Sequence, residues 1–354
     1  MRWELSVEQA DFRAVLADWL GETCATGVLR GWLDTGDHSA FEERFAGDGW
    51  FGVGSAEDLG GEGGGLVELA LASEELGRRA APASSWLGAM LALPALAAMP
   101  EAAKALLAQG LSTVLAVPAG AVPAGVTHVS ECGGGLVGTV PTVLGAVGAR
   151  RLVVAVGPVL QLVDVDQPGV TITKRALTDR SRSVADVVLD GAHGEVIEGA
   201  DVAAVLEAVA HRAAVLVAAD ALGTMERMLD ETVGYVKRRT QFGVPIGSFQ
   251  AVKHAAAEIL VKVEAARSIV YLAAAAVEAG TDDAPLLAAA AKAQVCAAAS
   301  AAADTALTLH GAIGYTWEHD LQIFYKRAKL DAELFGSGAA WNDRLADRLA
   351  LLPG

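Results

Sequence analysis

The chain has 354 residues, of which 53% are hydrophobic and 20% are charged, and its formal net charge is −16. This length allows two or three domains of about 100–200 residues each. The excess of acidic residues disfavours nucleic acid as a partner, because contacts to phosphates need clustered Lys and Arg.

The first 110 residues are predicted to form a helical domain. Ser6 and Gln9 match a capping box, and apolar residues then recur at helical spacing from Phe12 to Leu20. The glycine-rich loop at residues 57–65 does not match G-x-G-x-x-G, so a Rossmann turn is not predicted. Further helices are predicted over residues 41–51, 66–77 and 101–109.

Residues 111–199 differ in character and are predicted to form a small antiparallel β domain, a sandwich or barrel. Short runs of β-branched and apolar residues alternate with turn signals such as the glycines at 133–135 and Gln-Pro-Gly at 167–169. The predicted strands are 113–117, 136–143, 151–156, 160–165, 170–174 and 184–189.

Residues 200–354 are predicted to be helical again. Their length and alanine content favour a packed four-helix bundle. Charged residues such as Asp220 and Lys292 interrupt the most apolar stretches, so no membrane span is predicted. The fold class is therefore α+β and mainly α. The predicted helices are 200–238, 249–279, 283–309, 321–329 and 339–351.

The segment 238–250, which reads R-R-T-Q-F-G-V-P-I-G-S-F-Q, lies between two predicted bundle helices. The planar guanidinium of Arg239 suits a pyrophosphate, and Gly243 and Pro245 break the helical periodicity. On residue chemistry alone, the segment is either a helix–turn–helix corner with a surface arginine pair or a phosphate-binding turn.

This segment resembles the flavin-binding signature of the acyl-CoA dehydrogenase family, in which R-x-x-F-G and F/H-Q recur in this order. The stretch 309–320 is close to the family's H-G-G-I-G-F-T-W-E-H-D, and residues 49–61, 71–77 and 184–192 resemble further family motifs. The resemblance covers nearly the whole chain. It implies an N-terminal helical domain (1–110), a β domain (111–199) and a C-terminal four-helix bundle (200–354).

The resemblance also implies a reaction and a cofactor. The family desaturates an acyl-CoA thioester between Cα and Cβ, where a glutamate takes the α proton and the flavin of FAD takes the β hydride. The implied FAD-binding residues form two groups, one at the pyrophosphate and one in a loop that reaches the FAD of a neighbouring subunit. The first group is Arg239, Gln241, Phe242 and Gln250, and the second is His310, Gly311 and Gly314.

The loop of the second group has another interpretation on its residues alone. It can be a helix C-terminus with Gly311 as a left-handed cap.

The catalytic base is not where the family has it. Most members carry the glutamate in Y-E-G-T, which corresponds here to Phe335 or Gly336; a second group carries it at the position of Ala213. None of these side chains accepts a proton. Glu333 is the candidate for a shifted base. Asp220 is expected to be a structural carboxylate paired with a neighbour.

Further departures fall on the flavin-ring side of the expected site. Residues 117–124 lack the Glu, Ser and Asp of the family's T-E-P-x-A-G-S-D, and the shielding strand W-[IV]-T survives only as residues 143–146. Ala312 replaces the second glycine of H-G-G, and Thr308 replaces a frequent glutamine. The chain is in this respect similar to the base-lacking subunit of actinobacterial sterol side-chain heterotetramers.

Three hypotheses are open. The chain is a subunit of an FAD-dependent acyl-CoA dehydrogenase acting on a sterol- or lipid-derived thioester, the base-lacking partner in an α2β2 assembly. Alternatively, it is a homotetrameric dehydrogenase that uses Glu333, or a catalytically inactive or repurposed flavin- or thioester-binding protein. In the first two cases the family implies electron-transferring flavoprotein as the acceptor.

The N-terminal residues and the cysteines together predict the cellular compartment. Arg2 and Glu4 lie where a signal peptide would be apolar. The three cysteines, Cys24, Cys132 and Cys296, are odd in number and widely spaced, which argues against a disulfide framework or a zinc site. A cytoplasmic protein without a metal site is expected.

Overall fold

The computed structural model describes residues 4–109, 113–125 and 127–349. Within these ranges the chain forms a helical region, a region of strands and a second helical region, in that order. The predicted boundary at residues 110 and 111 and the predicted end of the last helix at residue 351 lie outside the described residues.

The helices described are α1 (Val7–Thr23), α2 (Thr26–Thr35), α3 (Ser39–Gly47), α4 (Leu66–Arg78), α5 (Ser84–Leu96), α6 (Pro100–Gln109), α7 (Val202–Arg238), α8 (Gln250–Ala279), α9 (Ala284–His310), α10 (Leu321–Glu333) and α11 (Gly338–Arg348). The strands described are β1 (Thr113–Leu115), β2 (Val129–Cys132), β3 (Gly135–Leu144), β4 (Arg151–Val156), β5 (Val159–Asp164), β6 (Val170–Arg175), β7 (Val184–Ala192), β8 (Gly194–Ile197), β9 (Thr240–Gln241) and β10 (Val244–Pro245).

The predicted capping box at the start of α1 is confirmed. The Gln9 amide donates to Ser6 Oγ at 3.2 Å, and the Ser6 amide donates to Gln9 Oε1 at 3.0 Å. The helix predicted over 41–51 ends earlier, at Gly47, because Gly49 has a φ of +87° and only a short 3₁₀ turn follows. The positive φ of Gly49 therefore sets the direction of the chain after α3.

The strands β1 to β8 belong to one sheet, in the order β6-β7-β3-β2-β4-β5-β8, with β1 on β4. Most neighbours are antiparallel, as predicted, but β1 and β2 run parallel to β4. The reason is connectivity: both strands reach β4 through long connections rather than hairpins. Alternate β4 residues face two cores, since Val153 lies in the helical core and Leu152 and Val154 lie in a core inside the sheet.

The C-terminal region is built around α7, which packs against α4, α8, α9 and α10. The stretches Val202–Arg238 and Ala284–Tyr315 are long and apolar enough to cross a membrane by length and composition alone. In each, 61% of the most apolar part is buried inside the protein, as in the core helices of a bundle. In this fold, other parts of the protein cover most of the apolar surface of these two helices.

Two glycines allow α4 and α7 to cross at close range. A Cβ added to Gly223 would lie 1.8 Å from the carbonyl oxygen of Glu74, and one added to Gly77 would lie 2.2 Å from that of Asp220. No other residue type fits at such a distance. This crossing fixes the N-terminal helices against the bundle.

Candidate functional site

The segment after α7 forms a tight hairpin. Thr240 and Gln241 of β9 pair with Pro245 and Val244 of β10. The two residues between the strands, Phe242 and Gly243, have φ of +51° and +79°, as a two-residue hairpin turn with two left-handed positions requires. Phe242 is consequently carried outward and is 93% exposed.

Hydrogen bonds hold the backbone of Arg239 in place, whereas its side chain makes no contact of this kind among the described residues. Its amide donates to the Tyr235 carbonyl at 2.9 Å, and its carbonyl accepts from the Ile246 amide at 2.8 Å. Among the described residues its exposed guanidinium has no ion pair or hydrogen bond. Gln241 and Gln250 are also exposed. An exposed fork of N–H donors fits a phosphate ligand from outside the chain.

His310, at the end of α9, is buried beside this hairpin. Its Nδ1 lies 2.8 Å from the Ala306 carbonyl, and its ring stacks on Tyr235 with centroids 4.5 Å apart. Its Nε2 is buried without a hydrogen-bond partner in the described part of the chain. Burial lowers the pKa of His310, which favours a neutral ring with the proton on Nδ1. Nε2 is then an acceptor that meets no donor among the described residues.

The loop that follows depends on two glycines. Gly311 has a φ of +66° and a ψ of −146°, so it ends α9 outside the left-handed helical region that the cap interpretation requires. Gly314 is buried, and a Cβ there would lie 3.0 Å from Leu307 and 3.1 Å from His310. Ile313 and Tyr315 point out of the loop and are exposed.

Tyr235 joins the two predicted groups. Its carbonyl holds the amide of Arg239, and its ring stacks on His310, so the pyrophosphate group and the loop group share one support. Its spacing, one helical turn before Arg239, is the sequence signal that could have identified it. His319 completes the stack, with its ring centroid 4.8 Å from that of His310.

The positions where the family carries its base are filled by buried, non-ionisable side chains. Phe335 is buried at a φ of +55°, and its amide donates to the Ala119 carbonyl at 2.6 Å. Trp341 Nε1 donates to the Phe335 carbonyl at 2.9 Å. Ala213 is buried in α7. No proton acceptor is available at either place.

Beside Phe335 lies a cavity of about 200 Å³. Its volume is below the roughly 300–1,000 Å³ of a typical ligand pocket. Only Thr142 and Glu333 contribute polar side chains, which does not fit the polar edge of a flavin ring. Glu333 is exposed at the end of α10, away from the Arg239 hairpin. The lining is Ala119, Gly120, Thr142, Leu144, Leu177, Val184, Leu330, Glu333 and Leu334.

Asp220 is a structural carboxylate, as predicted. Its Oδ2 accepts from Arg182 at 2.6 Å and from Arg327 at 2.7 Å, and its Oδ1 accepts from Arg327 at 2.8 Å. Burial opposes ionisation, but the two guanidinium groups outweigh it and hold the pKa of Asp220 below its usual range. The group links α7, α10 and the β6–β7 loop. It is therefore not available as a base.

The structure also bears on the expectations for metal ligands and cysteines. Among the described residues, no group of three or more His, Cys, Asp or Glu side chains could hold a metal ion. Cys24, Cys132 and Cys296 are free, with Cys24 and Cys296 buried and Cys132 exposed.

Comparisons with known proteins cover most of the chain. A family model described as acyl-CoA dehydrogenase, N-terminal domain, matches residues 6–111, and one described as acyl-CoA dehydrogenase, C-terminal domain, matches residues 202–350. Over 284 residues the chain is 36% identical to the acyl-CoA dehydrogenase IpdE2 of Mycobacterium tuberculosis, covering 79% of this chain and 77% of that protein.

A second relative is longer. The chain is 34% identical over 352 residues to the acyl-CoA dehydrogenase FadE34 of the same organism, which covers 96% of this chain but 47% of FadE34. The chain thus spans about half the length of that relative.

Solved structures share the whole architecture. The ChsE4–ChsE5 complex from Mycobacterium tuberculosis superposes with a TM-score of 0.87 at 26% identity over 100% of both chains. The Tcur3481–Tcur3483 steroid ACAD superposes with a TM-score of 0.86 at 27% identity, over 96% of this chain and 97% of that one.

Proposed function

Because the chain belongs to the acyl-CoA dehydrogenase family, whose cofactor is FAD, we propose that it is the base-lacking subunit of a heteromeric acyl-CoA dehydrogenase. The assembly is an α2β2 tetramer in which a second dehydrogenase subunit brings the glutamate. The ChsE4–ChsE5 complex and the Tcur3481–Tcur3483 steroid ACAD support this, since both are named as pairs of proteins. The reaction is the α,β-desaturation of a sterol- or lipid-derived acyl-CoA.

One observation carries the proposal. The side chain at the base position is Phe335, which is buried and held by hydrogen bonds of its own amide and carbonyl groups to Ala119 and Trp341. No small movement of the chain places a carboxylate there. The cavity next to it is mainly apolar, with Thr142 and Glu333 as the polar side chains in its lining, and this set does not match the polar edge of a flavin ring. In this chain, the part of the expected site that would hold the acyl group therefore has neither a catalytic base nor a lining suited to the flavin ring.

The other half of the site fits the cofactor. The guanidinium of Arg239 has no partner among the described residues and would hold the FAD pyrophosphate through its N–H donors. Gln241, Phe242 and Gln250 lie alongside it. His310, Gly311 and Gly314 present their loop to the FAD of the neighbouring subunit. When bound, FAD accepts the hydride from Cβ of the thioester.

The family context completes the proposal. Electron-transferring flavoprotein takes the electrons from the assembled enzyme, and the enzyme works in the cytoplasm. The three regions correspond to domains at 1–110, 111–199 and 200–354.

A second candidate function rests on Glu333. This carboxylate is exposed and is the one carboxylate among the described residues that line the cavity beside Phe335. A homotetramer that uses Glu333 as its base would be active without a partner. A catalytically inactive flavin- or thioester-binding protein would retain the Arg239 hairpin without turnover.

The test measures bound FAD and turnover for the chain alone and for the chain co-expressed with base-carrying dehydrogenases from the same genome. We expect no stoichiometric FAD on the chain alone and a full visible flavin spectrum in the heteromer. Glu333→Gln should leave the turnover of the heteromer unchanged. One FAD per chain in the isolated protein, together with turnover that Glu333→Gln abolishes, would replace the proposal with the homotetramer.

Arg239→Ala tests the cofactor contact itself. Loss of charge-assisted hydrogen bonds to a diphosphate should weaken FAD binding by the heteromer by about 10-fold to 100-fold. Arg238→Ala is the matched control, because Arg238 is the exposed preceding residue at the end of α7. Flavin release on dilution is the measurement, and equal FAD affinity in both variants would contradict the assignment of Arg239.

A further inference from the structure

A second cleft, of about 270 Å³, lies between the C-terminal end of α2 and the end of β6 with the loop that follows it. Of the residues that line the Phe335 cavity, it shares Leu177 alone. Neither Arg239 nor the loop Gly311–Tyr315 lines it. The lining is Leu33, Asp34, Thr35, Gly36, His38, Lys174, Arg175, Ala176, Leu177, Arg180 and Arg182.

The cleft concentrates positive charge in an acidic protein. The chain carries a formal charge of −16, yet this lining has four cations, Lys174, Arg175, Arg180 and Arg182, against one carboxylate, Asp34. A concave surface with one sign of charge focuses its field and raises the local concentration of counter-ions. The cleft therefore attracts anions although the molecule as a whole repels them.

The cations differ in how far this chain neutralises them. Arg182 is paired with Asp220, and Arg175 lies 3.4 Å from Asp186. Arg180 has no carboxylate partner among the described residues and lies over the Trp317 ring at 5.4 Å.

Lys174 likewise makes no ion pair among the described residues, although its charge helps to lower the pKa of the nearby Asp37. Its Nζ donates to the Gly36 carbonyl at 2.7 Å, a neutral acceptor that leaves two ammonium hydrogens free. Lys174 and Arg180 therefore keep their charge for a ligand.

His38 gives a second, independent observation. It lines the cleft and is 7% exposed, and its Nε2 is buried without a hydrogen-bond partner in the described part of the chain. A buried polar atom normally has a partner. Rotation of the His38 ring towards the cleft would let a ligand oxygen give Nε2 that partner, either by donating an acidic O–H or by accepting from the protonated ring.

The charge continues past Arg180. A smaller cavity shares Leu33, Asp34 and Arg180 with the cleft and adds Arg30 and Lys326. Lys326 Nζ lies 3.9 Å from the Trp317 ring centroid and, among the described residues, donates a hydrogen bond to the neutral Gln322, whereas Arg30 is paired with Asp320. Arg180 thus lines both cavities, with Lys174 in the cleft and Lys326 in the smaller cavity, and this set of cations suits a ligand with two adjacent anionic groups.

We propose that this cleft, defined by His38, Lys174 and Arg180, binds a diphosphate group. The cations at Lys174, Arg180 and Lys326 hold its two phosphates, and His38 contacts an oxygen of the inner one. Free inorganic diphosphate and the diphosphate of coenzyme A have the same chemistry. The site is separate from the proposed FAD contact at Arg239.

The test is calorimetric titration of the full chain with sodium pyrophosphate at constant ionic strength. We expect one site per chain, and a Kd that rises about tenfold or more in Arg180→Ala and in Lys174→Met. Arg150→Ala is the matched control, because Arg150 is an exposed arginine of the β region outside the cleft. Thermal unfolding of each variant shows that the fold is retained.

Two outcomes overturn the proposal. One is the absence of pyrophosphate binding by the folded chain, and the other is equal weakening in Arg150→Ala and Arg180→Ala, which indicates nonspecific screening. Titration with coenzyme A distinguishes the sources. If coenzyme A competes with pyrophosphate and this competition is lost in Arg180→Ala, the cleft binds the diphosphate of the acyl-CoA thioester. Coenzyme A binding that neither competes nor responds to Arg180→Ala assigns it to a separate phosphate ligand. Since pyrophosphate binding requires neither FAD nor a second subunit, failure here leaves the proposed function intact.

Discussion

At the scale of single residues, Phe335 is the side chain on which the proposed function depends most. Its backbone occupies a left-handed conformation, which costs energy for a residue with a Cβ, and its ring fills the core. The sequence alone indicated that a glutamate was missing from this register. That the replacement is also buried and tied to Ala119 and Trp341 follows only from the coordinates.

Glu42 gives a prediction at the same scale, because burial raises its pKa to about 7. The protonated form is favoured in the folded state, so this contribution to stability is present below the unfolded pKa near 4.3 and is lost as pH rises towards 7. Glu42→Gln should therefore raise the free energy of unfolding at pH 8 relative to pH 5 by on the order of 1–2 kcal/mol.

Denaturant unfolding at the two pH values checks this. Glu43→Gln is the control, since Glu43 is the exposed neighbour on α3 and its substitution should leave the pH dependence unchanged. The same pH dependence in wild type and Glu42→Gln would show that the carboxyl is solvated in the folded protein.

At the scale of elements, the bundle helices and the longer strands were predictable, and one uniformly buried helix and several short elements were not. The bundle helices and most strands lie within a few residues of their predicted ranges. Helix α5 was missed because it is buried nearly all round, so it has no polar face to give a helical period. Helix α2 and the short strands β2 and β8 were missed as well.

The α4–α7 crossing supports a sharp test. In Gly223→Ala the new methyl group would overlap the Glu74 carbonyl, so the helices must separate, and we expect a loss of at least about 1–3 kcal/mol in the free energy of unfolding. Gly234→Ala on the same helix is the control. Its Cβ would approach only the Arg238 side chain, at 3.8 Å, so higher helix propensity should stabilise the protein by about 0.5–1 kcal/mol.

Chemical denaturation of the two variants measures the difference. Equal stabilities would mean that α4 and α7 do not approach each other at Gly223.

On the scale of the whole molecule, exposed apolar side chains surround the expected FAD contact. Phe242 and Phe249 meet edge to face, with centroids 6.3 Å apart, and Ile313 and Tyr315 are exposed on the adjoining loop. Exposed aromatic residues around a charged anchor are typical of protein interfaces. In the proposed heteromer, the neighbouring subunit would cover this surface.

Phe242→Ser should therefore weaken assembly without unfolding the chain. Loss of a central aromatic contact is expected to raise the dissociation constant of the heteromer by about tenfold or more. Val7→Ser, at another exposed apolar residue on α1, is the control and should leave assembly unchanged. Light scattering over a dilution series measures both. Unaltered assembly in Phe242→Ser would place the partner on another face.

What the sequence by itself determined is the order of helical, β and helical regions, the family, and the two motifs around Arg239 and His310. These follow from local periodicity and from motifs that are contiguous in the chain. The tertiary structure decided what depends on distant residues: the support of both motifs by Tyr235, the pairing of Asp220 with Arg182 and Arg327, and the parallel strands on β4. It also decided the basic cleft, because residues 33–38 and 174–182 are far apart in sequence and meet only through packing. The local charge and the burial of these groups depend on which distant residues pack against them, and a local sequence pattern does not specify that.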